Sequence, residues 1–264
     1  MIDHIENNNY QENDEEHKID IYSLDTGVEG EYLQNYEALA KLKEEVFTLY
    51  KSYVAVAGFS FGSLIVSPLA SLGFATLLSA GASLEYFRII TRLHDTMKML
   101  LEHFGNDGIR ITPRVRTNSA IIDLFIRMPD KRMFAVIIRM NENTSVIWRE
   151  DRKEFFTRKK GKNAKKCDPL TRTIEQLQTI VDLKKNKHPL MGAISSERSA
   201  PLMKAIVLAP GSEIAASNSP EIWSDFGQTR VLKVRTTSIT YVVRYDDLIE
   251  FLLPPKEKDF ENVS

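Results

Sequence analysis

Ser119-Ala-Ile-Ile-Asp123-Leu-Phe-Ile-Arg127-Met-Pro129-Asp130-Lys131-Arg132-Met-Phe134-Ala-Val-Ile-Ile-Arg139-Met140 reads as two strands joined by a tight turn. Ser119 to Met128 and Arg132 to Met140 are rich in β-branched and aromatic residues, and Pro129-Asp130-Lys131 supplies the turn chemistry. Asp123 is an acid set among apolar neighbours inside the first of these strands. Ile109 to Val115 predicts a short strand before the pair, and Val146 to Trp148 extends the sheet after it.

Helical signals flank this strand cluster. Upstream, Glu31 to Ser52 predicts a helix with Leu33, Tyr36, Leu39, Leu42 and Val46 or Phe47 at helical spacing. Glu85 to Phe104 predicts another, with an apolar stripe running from Ile89 and Ile90 to Phe104 and a stop at Gly105. Downstream, Asp168-Pro169 opens a helix, Asp168 as N-cap and Pro169 at its first position, with Ile174, Leu177 and Ile180 on the buried side. Leu202 to Leu208 is an apolar strand closed by Ala209-Pro210-Gly211. Val231 to Val234 and Ile239 to Val243 are further strands, and Asp246 to Leu253 is a closing helix stopped by Pro254-Pro255. Strands on both sides of a crossover helix make this an α/β chain with a mixed sheet covered by helices.

From Ser52 to Leu84 the chain carries no charged residue, although charged residues make up 27% of the whole. As one helix this run would measure roughly 50 Å, whereas a bilayer core is about 30 Å thick. Ser67-Pro68 is the expected break, giving arms Tyr53 to Val66 and Leu69 to Leu84. Gly58 and Gly62 form a G-x-x-x-G that allows close helix packing. Lys41, Lys43 and Lys51 before the run, with Arg88 and Arg92 after it, place both ends of a membrane hairpin in the cytoplasm. Three readings stand side by side: a membrane hairpin, a single kinked span, and a small-residue hairpin buried in a core or an oligomer interface. A secretory leader is not expected, because the run starts late, behind an acidic segment without a basic n-region.

Composition divides the rest. Residues 1–30 are acidic and poor in apolar residues, as in a disordered tail. Residues 31–84 hold the first helix and the apolar run, 85–253 the α/β domain, and 254–264 a tail. The net charge of -1 gives no global attraction to polyanions. Cys167 is the only cysteine, so no intrachain disulfide forms. The five histidines have no metal-ligand spacing.

The order helix, three strands, helix, strand resembles the αβββαβ core of the restriction-endonuclease-like, or PD-(D/E)xK, superfamily, nearest to its nuclease-related (NERD-like) branch. The resemblance covers Glu85 to Leu253 and rests on the Asp123 strand, the strand Phe134 to Met140, and the helix after Asp168-Pro169 with Gln176 and Gln178. It implies a metal-binding Asp on the first of these strands, an acid and a Lys two residues apart on the next, and a Gln on the helix. Asp123 takes the metal position and Arg139 that of the Lys, with Gln176 on the helix. Two carboxylates on adjacent strands would converge on Mg2+, which lowers the pKa of an attacking water. With Arg139 in the Lys position the second acid falls on Ile137, which cannot bind a metal. Asp130 followed by Asp151 and Lys153 spells the motif in the wrong context, and Glu102 or Glu142 are substitutes for the lost acid. Otherwise Asp123 is a strand acid paired with an Arg such as Arg139 or Arg127, or one that faces solvent.

Arg152, Lys153, Arg158, Lys159, Lys160, Lys162, Lys165 and Lys166 form a basic segment, expected to loop, that interleaves with Phe155 and Phe156. Cations neutralise phosphates and aromatics stack on unpaired bases, which suits DNA or RNA. The same cations suit an anionic membrane surface. The leading expectation is a membrane-associated, catalytically degenerate nuclease-like domain that binds nucleic acid or a protein partner and needs no cofactor. The alternatives are an active Mg2+-dependent nuclease using Asp123, and an oligomeric assembly protein that buries its apolar hairpin.

Overall fold

The computed structural model describes residues 32–66, 70–139, 141–149, 152, 154–159, 167–192, 194–215 and 222–254, with side chains outside 56–83, 159, 167 and 168. Two long helices come first, α1 (Asn35–Val66) and α2 (Ala70–Phe104). The quoted stretch then forms β2 and β3 of an antiparallel meander, β1 (Arg110–Arg116), β2 (Ile121–Arg127) and β3 (Met133–Ile138). Its turn is held by Asp130, whose carboxylate accepts from the Arg132 backbone N–H at 3.0 Å and from Arg132 Nε at 2.6 Å. Lys131 completes it at φ +71°.

Next come β4 (Thr144–Arg149), β5 (Glu154–Lys159) and β6 (Cys167–Pro169), then α3 (Thr171–Gln178), α4 (Ile180–Lys185) and α5 (Ser195–Arg198). The chain returns as β7 (Leu202–Leu208), passes through β8 (Glu213–Ile214), and ends with β9 (Trp223–Phe226), β10 (Thr229–Arg235), β11 (Ile239–Arg244) and α6 (Leu248–Leu252). Among the described residues the main sheet is mixed, in the order β1-β2-β3-β7-β11-β10-β9, with β7 parallel to both β3 and β11. A smaller sheet runs β6-β5-β4-β8.

Strand alternation gives the main sheet two apolar faces. Phe134, Val136 and Ile138 face a core shared with Ala38 and Leu42 of α1, Met97 and Leu100 of α2, and Phe251 of α6. Met133, Ala135 and Ile137 face a second core with Ile174 and Leu177 of α3, Ile180 of α4, and Val146 and Phe155 of the small sheet. The base of α1 therefore belongs to the same core as the sheet.

At one point the alternation reverses. Ile111 and Val115 have the same parity on β1 yet face opposite cores, and so do Ile122 and Leu124 on β2. The register Pro113↔Leu124 and Val115↔Ile122 continues across the reversal, which centres on Arg114 and Asp123. Arg114 sits at φ +52°, a left-handed backbone that turns the strand over. At the outer edge of β1, the side chain of Asn35 donates from Nδ2 to the Ile109 carbonyl at 2.8 Å and accepts from the Ile111 N–H at 2.7 Å.

Three expectations need correcting here. First, among the described residues no helix is long and apolar enough to cross a membrane, which overturns the expected membrane anchor and transmembrane span. The uncharged run is divided between two helices. Ser52 to Val66 and Ala70 to Leu84 each measure only about 22 Å along the axis, short of a bilayer core. Ser67-Pro68 itself lies outside the described residues. Second, Glu154 to Lys159 is a strand rather than a loop: its pairing with β4 buries Phe155 in the second core on one face and Phe156 under Arg149 and Arg152 on the other. Third, Asp168 is no helix cap. Cys167–Pro169 pairs with β5, in the register Phe156↔Pro169, and α3 begins at Thr171.

Candidate functional site

Asp123 and Arg139 are brought to the same end of β2 and β3, and each is engaged locally. The pairing of β2 with β3 stops at Leu124↔Val136, so the strands part just where Asp123 lies. Asp123 Oδ2 fills the gap by accepting the Ile138 N–H at 2.6 Å. The carboxylate thus stands in for a missing strand carbonyl. The residue before it faces one core and the residue after it the other, so the side chain lies close to the plane of the sheet.

Arg139 continues β3, and its N–H donates to the Val207 carbonyl at 2.8 Å. Its guanidinium donates to Thr173 Oγ1 of α3 at 2.9 Å and to Thr157 Oγ1 of β5 at 3.3 Å. It therefore ties the main sheet to α3 and the small sheet. Gln176 is partly exposed on α3, and its carbonyl accepts from Thr179 Oγ1 at 2.7 Å. Gln178 donates from Nε2 to Thr236 Oγ1 at 3.1 Å. Ile137, at the position of the lost acid, is buried in the second core.

The charge beside Asp123 is Arg114, not Arg139 or Arg127. Arg127 is paired with Glu197 of α5 at 2.8 Å. Arg114 is buried and holds Glu45 of α1 with Nη2 at 2.8 Å and Nη1 at 3.4 Å, while Nη2 also reaches the Tyr86 hydroxyl of α2 at 3.3 Å. Sequence reasoning passed over this cluster. The signal was Pro113-Arg114 inside a strand, since proline in a strand marks an edge or an irregularity.

Desolvation dominates at Asp123 and pushes its carboxyl up to about 6, against the opposing pull of the Ile138 N–H and the Arg114 charge. A raised carboxyl favours the folded state in its protonated form. Its contribution is complete below the unfolded value of about 4 and is lost as the pH rises through about 6. Asp123→Asn keeps an oxygen to accept the Ile138 N–H and removes the charge. The variant is expected to be more stable than the parent at pH 7, by up to about 3 kcal/mol, and to match it near pH 4. Urea denaturation across that range reads the difference directly.

A hard divalent cation needs several oxygen ligands. Among the described residues no group of three His, Cys, Asp or Glu side chains is placed to hold a metal ion. Glu102 lies on the exposed face of α2 beside Lys98, at 3.8 Å, and Glu142 is paired with Arg92. Asp130 belongs to its turn, and Asp151 and Lys153 lie outside the described residues. Among the described residues, the donor set around Asp123 does not fit Mg2+.

The basic segment is only partly described. Arg152 is exposed and lies over the Phe156 ring at 5.7 Å, joined there by Arg149 at 5.6 Å. Arg158 is exposed on β5 and paired in register with Cys167. Lys159 belongs to β5, while Lys160, Lys162, Lys165 and Lys166 lie outside the described residues. Phe155 and Phe156 are 8% and 1% exposed, which removes them as stacking platforms for bases.

No family model matches the chain, and neither does any curated protein or solved structure.

Proposed function

We propose that this chain is a non-catalytic assembly protein, in which a restriction-endonuclease-like core presents a helix pair that joins copies of the chain. The order of elements supports the core. An antiparallel meander β1-β2-β3 is followed by α3 and by β7 parallel to β3, the sequence of an αβββαβ unit. The commitment of Asp123 to a backbone N–H supports a structural role for the old metal position.

The observation that carries the assembly reading is the outer face of α1. Phe47, Tyr50 and Val54 follow one another at helical spacing and are 57%, 55% and 51% exposed. They lead into the uncharged run that begins at Ser52. Large apolar side chains grouped in this way mark a contact surface rather than ordinary scatter. An apolar groove of about 640 Å³ lies beside them, lined by Ala40, Val46, Phe47, Tyr50 and Phe87, with Lys43 and Glu44 at its margin. A two-fold arrangement of antiparallel α1 helices centred on Tyr50 lays this apolar face of one copy on that of the other, so the surface is complementary to itself.

Sedimentation analysis of the full chain tests this. The parent is expected to associate, and the double variant Phe47→Glu, Tyr50→Glu is expected to run as a monomer with an unchanged circular dichroism spectrum. A parent that stays monomeric at every concentration overturns the reading.

A further inference from the structure

A cavity of about 370 Å³ opens where β1 begins and β2 ends, within the size range of small-molecule sites. Arg110 and Thr112 of β1 and Phe125 and Arg127 of β2 line it, with Tyr32 and Leu190 as walls. One feature of this lining is unusual. The register sets Arg110 directly opposite Arg127, and like charges in that position repel. Arg127 is answered by Glu197, whereas the side chain of Arg110 is exposed and makes no ion pair or hydrogen bond among the described residues. Thr112, 1% exposed as a residue, lies two places along β1 from Arg110, on the same side of the strand, and lines the cavity with it.

We propose that this cavity binds a small planar molecule through an oxyanion, phosphate or carboxylate, held by Arg110 and Thr112. The Arg110 guanidinium offers a fork of donors matched to two oxygens, and the Thr112 hydroxyl supplies another donor beside it. The oxyanion relieves the repulsion across the Arg110↔Arg127 pair. Phe125, Tyr32 and Leu190 give the planar body an apolar seat. Glu37 also lines the cavity but is exposed, and solvent screens its charge.

Titration calorimetry on the full chain with adenosine monophosphate, benzoate and inorganic phosphate tests the site. Binding of adenosine monophosphate or of benzoate is expected, and which of the two binds assigns the head group as phosphate or carboxylate. Arg110→Ala, a change at an exposed position, is expected to weaken that binding about tenfold or more. Thr112→Val, which keeps the volume, is expected to weaken it less, and circular dichroism confirms that both variants stay folded. Three results overturn the proposal: no binding of any probe, affinity unchanged in Arg110→Ala, or inorganic phosphate binding as tightly as the planar ligands.

Discussion

Glu45→Ala is expected to destabilise the chain by about 3 kcal/mol, because it takes from the buried Arg114 guanidinium the one carboxylate hydrogen-bonded to it and leaves only the charge of Asp123 nearby. The Arg114 side chain is 5% exposed and that of Glu45 24%, so water replaces the lost carboxylate poorly. Tyr86 keeps one hydrogen bond at 3.3 Å but brings no charge. The effect is asymmetric. Replacing both partners by apolar residues of similar volume, as in Glu45→Met with Arg114→Met, removes the unpaired charge and is expected to recover much of the loss. Urea unfolding of the two single variants and the double variant isolates the coupling. Additive losses would show that the pair contributes no more than two independent side chains. The bridge matters beyond its energy, since Glu45 is on α1, Tyr86 on α2 and Arg114 on β1. It fixes the helix pair to the sheet at the point where the strand alternation reverses.

Phe251→Ala is expected to cost about 3–5 kcal/mol as well, by a different route. Phe251 is fully buried in α6, with ring centroids 4.8 Å from Phe226, 5.5 Å from Tyr241 and 5.6 Å from Phe134. Three aromatic neighbours on β3, β9 and β11 cannot collapse into the space together, so a cavity remains. Phe251→Leu fills more of it and is expected to lose roughly half as much. Arg132, from the turn before β3, donates to the Leu252 and Leu253 carbonyls and anchors the end of α6. A loss below about 1 kcal/mol in thermal unfolding would mean that α6 is peripheral to folding.

The sheet was legible in the sequence wherever alternation and turn chemistry agreed. Leu202 to Leu208 and the hairpin around Asp130 lie where the pattern put them. The small sheet was not legible, because Lys159 to Lys166 dominates the composition of its neighbourhood and masks Phe155 and Phe156, which are buried on opposite faces of β5. The two helices were read as separate amphipathic pieces with apolar arms. They are continuous from Asn35 to Val66 and from Ala70 to Phe104, since periodicity fades where every residue is small or apolar. At the candidate site, the sequence pointed to Asp123 and Arg139. It gave no way to tell that the carboxylate would turn along the sheet to a backbone N–H, because that depends on the inversion at Arg114. The absence of an acid at Ile137 was visible from the start.

The amide of Asn35 lies along the free side of β1 and occupies one carbonyl and one N–H that a further strand would need. An exposed strand edge is a template on which stray peptides and neighbouring molecules add and aggregates begin. Here the first rung of that ladder is already taken by a side chain whose geometry imitates a peptide group. The chain therefore discourages growth of its sheet at the start of β1 with an amide, ahead of the proline at Pro113 and the reversal at Arg114 further along the same strand.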